Sequence, residues 1–190
     1  MADIESRTCA EIVVAVRRTA GEYRDADYLF GFLCAMGLLL VMLFARFEFR
    51  LAAFPVGVLG AFVAGAALAS RVEPIRRVLS LPSQRRARAE VAARAAFVDL
   101  GVGGTRDRTG VLVLVALFER EVVVVADAGV DPAALGDAWA ARVKALRGSL
   151  RPGPDLPRFL EALRGLAGPL ELCLPRAADD VNELPDEVAS

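Results

Sequence analysis

Apolar and polar positions are laid out along this chain on two different scales. Tyr28–Ala45 (YLFGFLCAMGLLLVMLFA) runs 18 residues and Leu51–Ser70 (LAAFPVGVLGAFVAGAALAS) runs 20 residues without a charged side chain. At a helical rise of about 1.5 Å per residue, each is long enough to cross a hydrocarbon core of roughly 30 Å. Only Arg46-Phe-Glu-Phe-Arg50 separates them. The pattern predicts a transmembrane helical hairpin rather than two buried core helices. A chain of 190 residues can hardly supply a soluble shell that covers two uniformly apolar helices on every side.

Outside these spans the apolar runs are short. Cys9–Val16 is β-branched and bounded by polar residues, which predicts a strand. A lone strand is not stable, so it must pair with something later in the chain, and the hairpin then becomes an insertion within one domain. Residues 1–27 supply the first part of that domain, 28–70 the hairpin, 71–175 the remainder and 176–190 an acidic tail with little regular structure. Gly110–Leu117 (GVLVLVAL) and the run to Asp127 from Glu121 read as strands covered on both faces. Phe118–Arg120 between them reads as a turn, which makes the pair antiparallel.

Helical periods fill the rest. Ser83 can cap a helix to about Asp99, with Ala87, Val91, Ala95 and Val98 on one face and a basic, then alanine-rich, face opposite. Gly101-Val-Gly-Gly-Thr105 ends it as a flexible turn. That loop follows a helix, precedes a strand and lacks Gly-Lys-Ser/Thr, so it is not a phosphate cradle. Asp131-Pro132 opens a helix with Leu135, Ala138, Trp139, Val143 and Leu146 inward, closed by Gly148. A further helix starts at Asp155 or Pro157, turns Phe159, Leu160, Leu163, Leu166 and Ala167 inward, and stops at Gly168-Pro169. Leu170–Leu174 is either a short strand or a last helical turn.

Charge and special residues narrow the chemistry. The flanks outside the spans hold Arg17, Arg18 and Arg24 before, and Arg71, Arg76, Arg77, Arg85, Arg86 and Arg88 after, against Arg46 and Arg50 in the connecting loop. That count puts both termini on the cytoplasmic side. A net charge of −1 gives no global electrostatic case for nucleic acid. With no histidine in the chain, Ser-His-Asp and Cys-His machinery is excluded. Cys9, Cys34 and Cys173 show no zinc-ligand spacing; Cys34 lies in a span, which leaves Cys9–Cys173 as the only conceivable disulfide. Acidic and polar residues follow Met1, so no cleavable signal peptide is expected.

Taken together, the strand Ala10–Val16, the segment Thr105–Val130, the tryptophan helix and the terminal Asn182-Glu-Leu-Pro-Asp186 resemble the TPM domain family. The likeness is to its bacterial membrane-protein branch, in which two spans interrupt the domain. The strongest carriers are Arg108-Thr-Gly110, the Glu119-Arg120 turn, Asp127-Ala-Gly129 and the NELPD segment. The resemblance implies an α/β fold: a small mixed sheet of about four strands sandwiched between helices, interrupted by the hairpin. Many members carry a signal peptide and lie outside the cytoplasm, whereas the arginine count here points the other way. Related domains are associated with weak metal-dependent acid phosphatase activity, photosystem repair and modulation of a membrane receptor, and a shared fold does not choose among these.

Two functions are therefore weighed. A phosphatase without histidine needs a metal, Ca2+ or Mg2+, to activate water and neutralise phosphate. Its oxygen ligands would come from Asp99 and Asp107 beside the glycine loop, Glu119 at the turn, and Asp127 and Asp131 after the last strand. An antiparallel pair puts Asp107 and Asp127 at one end, and these two are the foremost metal candidates. Structural roles compete for the same residues: Asp131 as a helix cap, Asp127 as a strand end, Asp107 as the partner of a neighbouring arginine. The other function, which the sequence favours, is a non-catalytic interaction or regulatory module held at the lipid bilayer. Its partner would be another membrane protein, or a second copy met through the spans. Gly57, Ala61 and Gly65 recur at four-residue spacing in the second span and suit close helix packing, most simply of one span on the other.

Overall fold

A computed structural model of the chain describes residues 7–47, 49–151, 153 and 155–176. The NELPD segment and the acidic tail beyond Arg176 lie outside the described residues. The backbone divides into two compact units: Glu22–Gln84, and a unit assembled from the chain on either side of it.

In the assembled unit, strand β1 (Glu11–Arg17) lies parallel to β2 (Gly110–Ala116), which pairs antiparallel with β3 (Glu121–Ala126), in the order β1-β2-β3. Val14 stands opposite Val113, and Val113 opposite Val124. All seven residues of β2 are buried, as an uninterrupted apolar run in a central strand requires. The turn after β2 stays tied to the end of β1: Leu117 and Phe118 N–H donate to the carbonyls of Arg17 and Arg18. The Ala20 N–H donates to the buried Glu119 carboxylate at 2.9 Å.

The two faces of the sheet are filled in opposite ways. One carries Ile12, Val14, Val111, Val113 and Val115 against large side chains. These come from helices α5 (Pro132–Gly148), α6 (Leu156–Arg164) and α7 (Ala167–Cys173), and include Trp139, Leu146, Phe159, Leu163 and Leu170. The other carries Val13, Leu112, Leu114 and Val123 against Ala89, Ala92, Ala93 and Ala96 of α4 (Pro82–Asp99). Medium sheet residues meet large helix residues on one side, and larger sheet residues meet alanine on the other. Interiors packed to crystal-like density require this size complementarity.

That packing overturns the expected α4 stripe. Alanine faces the sheet, while Val91 and Val98 are 67% and 75% exposed and Ala87 and Ala95 are exposed beside them. A methyl group lets the helix close on Leu112 and Leu114, where valine would hold it off. In α5 the inward set is Leu135, Trp139 and Leu146, with Val143 half-buried and Ala138 outside it, and Leu160 of α6 lies at the edge. The expected fourth strand is absent among the described residues. Leu170–Cys173 is helical, because Pro169 falls in the first turn of α7, where proline starts a helix rather than stopping one. An isolated bridge, Thr8 to Pro175, joins this end to residues 7–9, together with the Cys9 N–H donating to Leu174 C=O and an Arg7–Glu171 ion pair.

The Glu22–Gln84 unit is built on α1 (Arg24–Phe44) and α2 (Ala53–Arg71), joined by a short connection and followed by α3 (Glu73–Leu79). Both long helices are long and apolar enough to cross a membrane, and only 22% and 11% of their most apolar stretches are buried. They are therefore not the covered core of a soluble unit. Gly65 faces the other helix so closely that a Cβ there would sit 2.9 Å from Cys34 Sγ and 3.1 Å from Gly31 Cα. Gly57 likewise faces Leu38 and Met42. Helix α1 starts four residues before the uncharged run, at Arg24, because Asp27 is buried and held by Arg76 of α3. Arg76 Nε and Nη2 donate to the two carboxylate oxygens at 2.6 and 2.5 Å. This bidentate bond to Asp27, set against partial burial, raises the Arg76 guanidinium above its ordinary value.

Enlarging a residue on the buried face of α4 separates the two faces of the helix. Ala93 is fully buried, so Ala93→Leu is expected to destabilise the domain by about 1–3 kcal/mol through overpacking. Val98→Ser, on the outer face, is expected to stay within about 0.5 kcal/mol of the parent. Thermal unfolding of the full chain in detergent measures both, and equal losses would contradict this orientation of the helix.

Candidate functional site

The loop before β2 and the end of β3 meet at one end of the hairpin. Strand pairing continues past β3, with the Asp127 N–H donating to Gly110 C=O at 2.9 Å and the Gly129 N–H to Arg108 C=O at 2.9 Å. Asp107 and Asp127 therefore lie at the same end. Gly129 is required there: a Cβ would fall 2.3 Å from Asp107 C=O and 2.7 Å from Arg108 C=O. Thr105 shapes the loop by accepting from the Thr109 N–H on Oγ1 at 3.0 Å. Arg108 then takes a left-handed conformation, φ 56°. This is an uncommon conformation for a residue with a side chain, and here it turns the guanidinium back onto β3.

Asp127 is the centre of this arrangement. Its side chain is 5% exposed. Arg108 Nη2 donates to Oδ1 at 2.9 Å and Arg108 Nε to Oδ2 at 3.3 Å, while the Ala128 N–H donates to Oδ1 at 2.7 Å. Burial pushes the Asp127 carboxyl up. The Arg108 hydrogen bonds, the Ala128 N–H and the guanidinium charge together outweigh it and hold the group below the usual carboxylate range. A carboxylate stabilised in this way is a poor proton acceptor. It serves as a clasp that fastens the loop at residues 105–109 to the end of β3.

The remaining acidic residues do not complete a site with it. Asp107 and Asp99 are exposed, and Asp131 is exposed and caps α5 by accepting from the Ala133 N–H at 2.9 Å. Glu119 lies at the other end of β3, with the Ala20 N–H on Oε1. No three His, Cys, Asp or Glu side chains among the described residues are grouped so as to hold a metal ion. Among the described residues the donor set does not supply the roughly six or more oxygen ligands that Ca2+ takes. Asp127, the best placed, has both oxygens occupied by Arg108. Of the two arginines flanking Asp107, Arg108 serves Asp127. All three cysteines are free thiols.

Comparison with protein-family models, with curated proteins and with solved structures gave no significant match.

Sequence reading passed over Arg108 as a site residue, although Arg108-Thr-Gly110 had already stood out as a motif. An arginine just before an uninterrupted apolar strand, with an aspartate closing the partner strand, is the available signal. Asp27, just before the first uncharged run, is buried against Arg76.

Asp127→Asn keeps the shape of the clasp and removes its charge. The folded carboxyl lies below the unfolded value of about 3.9. Its contribution is therefore complete above that value and is lost as pH falls through the lower folded one. The parent is expected to exceed Asp127→Asn in thermal midpoint by a constant margin from pH 7 to about 5, narrowing below about pH 4. Midpoints of both proteins across this range test it, and a margin that does not change with pH would refute the clasp.

Proposed function

We propose that this chain is a membrane-anchored, TPM-like domain that acts as a non-catalytic interaction or regulatory module for another membrane protein. The observation that carries the proposal is the outer face of α4. Ala87, Val91, Ala95 and Val98 form an exposed apolar strip on a helix whose alanine face is already used against the sheet. The long apolar helices α1 and α2 act as the bilayer-crossing anchor, at a length that matches a hydrocarbon core. Weak metal-dependent acid phosphatase activity is the less favoured reading, because Asp127 is committed to Arg108 and Asp131 to its helix.

A photo-crosslinking residue placed at Val91 or Val98 of the full chain in native membranes is expected to give a discrete adduct with one membrane protein. The same residue at the exposed Ala141 of α5 is expected to give none. Adducts equal at all three positions, or absent from the α4 positions, would refute the module.

The arginine distribution supports a cytoplasmic position for the domain. In a Cys34→Ser background, the exposed Cys173 is expected to resist a membrane-impermeant thiol reagent in intact cells and to react after lysis. Labelling of intact cells would reverse the orientation.

A further inference from the structure

Helix α5 carries a second surface, separate from the Asp127 clasp and from the strip on α4. An open groove of about 570 Å³ is lined by Trp139, Val143, Lys144 and Arg147 of α5, by Arg151 just beyond it, and by Arg86 of α4. Four of these six side chains are cationic, and among the described residues no carboxylate lines the groove. Arg86 shares its Nε with Glu90 at 3.1 Å, an ordinary pair one helical turn apart. Lys144, Arg147 and Arg151 have no acidic partner among the described residues.

The helix terminus accounts for part of this. A cation in the last turn suits the negative end of the helix dipole, and Arg147 stands there. It does not account for Lys144 a turn earlier, nor for Arg86 arriving from a different helix. Like charges drawn to one concavity repel each other, and an anion bound among them relieves the repulsion. Arginine forks match the geometry of phosphate oxygens, and lysine adds a point charge. The floor of Trp139 and Val143 is apolar and suits the organic part of a phosphate ester.

We propose that this groove binds a phosphate-bearing anion, contributed either by a soluble molecule or by a lipid headgroup. Arg147 and Arg151 grip the phosphate, with Lys144 and Arg86 supplying the surrounding charge. Trp139 is the single tryptophan of the chain and reaches the groove from its place in the core, so its emission gives a second readout beside the heat of binding.

The full chain is placed in nanodiscs of phosphatidylcholine and titrated with pyrophosphate at constant ionic strength, followed by calorimetry and by Trp139 emission. In parallel, emission is compared with that in discs containing phosphatidic acid. Saturable pyrophosphate binding in neutral discs assigns a soluble ligand. A change seen only with phosphatidic acid assigns a headgroup. In either case the double variant Lys144→Gln/Arg147→Gln, altered at surface positions, is expected to weaken the response at least tenfold. Arg164→Gln, an exposed cation on α6, is expected to leave it intact. Neither heat nor an emission change with either probe would overturn the proposal. An equal loss in Arg164→Gln would also overturn it, by showing that the response reflects overall charge rather than the groove.

Discussion

The structure depends on the parallel pairing of β1 with β2. Antiparallel neighbours can be joined by two residues, but parallel neighbours need a crossover, and here it comprises residues 18–109. Both long apolar helices occur in that crossover. It contains the α1–α2 hairpin, α3 and the helix α4 that covers one face of the sheet. The proposed membrane excursion, placed in a crossover, must contain an even number of spans, because β2 has to return to the side on which β1 was left. Two is the smallest number that satisfies the sheet. The hairpin is thus compatible with the domain for a topological reason, and the sheet remains continuous across it.

Much of this was legible because the relevant signals are local. Uncharged length reveals the two long helices, β-branched runs reveal β1, β2 and β3, and Asp131-Pro132 marks the start of α5. What was not legible depends on fit between distant segments. Valine is the stronger hydrophobe, so pattern alone turns Val91 and Val98 of α4 inward. Only packing against the opposing Leu112 and Leu114 decides for alanine. Pro169 shows the same limit: as a breaker it ends one helix and as a first-turn residue it begins another, and the buried Leu170 beside it selects the second role.

Charge pairing was the least legible feature. Asp127 and Arg108 are 19 residues apart, and Asp27 and Arg76 are 49 apart. Each aspartate has several arginines within comparable reach in sequence, and nothing local chooses among them. The choice falls to backbone geometry. Arg108 is turned onto β3 by its left-handed conformation and by the close approach of Gly129, while Arg76 reaches Asp27 from the short helix that follows the hairpin. Burying a carboxylate is tolerable only with such a partner in place, so each pair fixes one chain segment against another.

The same reasoning bears on what net charge conceals. The chain carries 23 basic and 24 acidic residues, which suggests electrostatic indifference. Five of the acidic residues, and none of the basic ones, fall after Arg176, so the preceding sequence is basic. Within it two buried carboxylates are already matched, Asp127 by Arg108 and Asp27 by Arg76. The surplus of positive charge is left to surface groups, and Lys144, Arg147 and Arg151 gather part of it on a single helix face and its exit. Fields fall off within about 10 Å at ordinary ionic strength, so an approaching anion meets that face and not the average. A chain neutral in sum can therefore present a locally cationic groove.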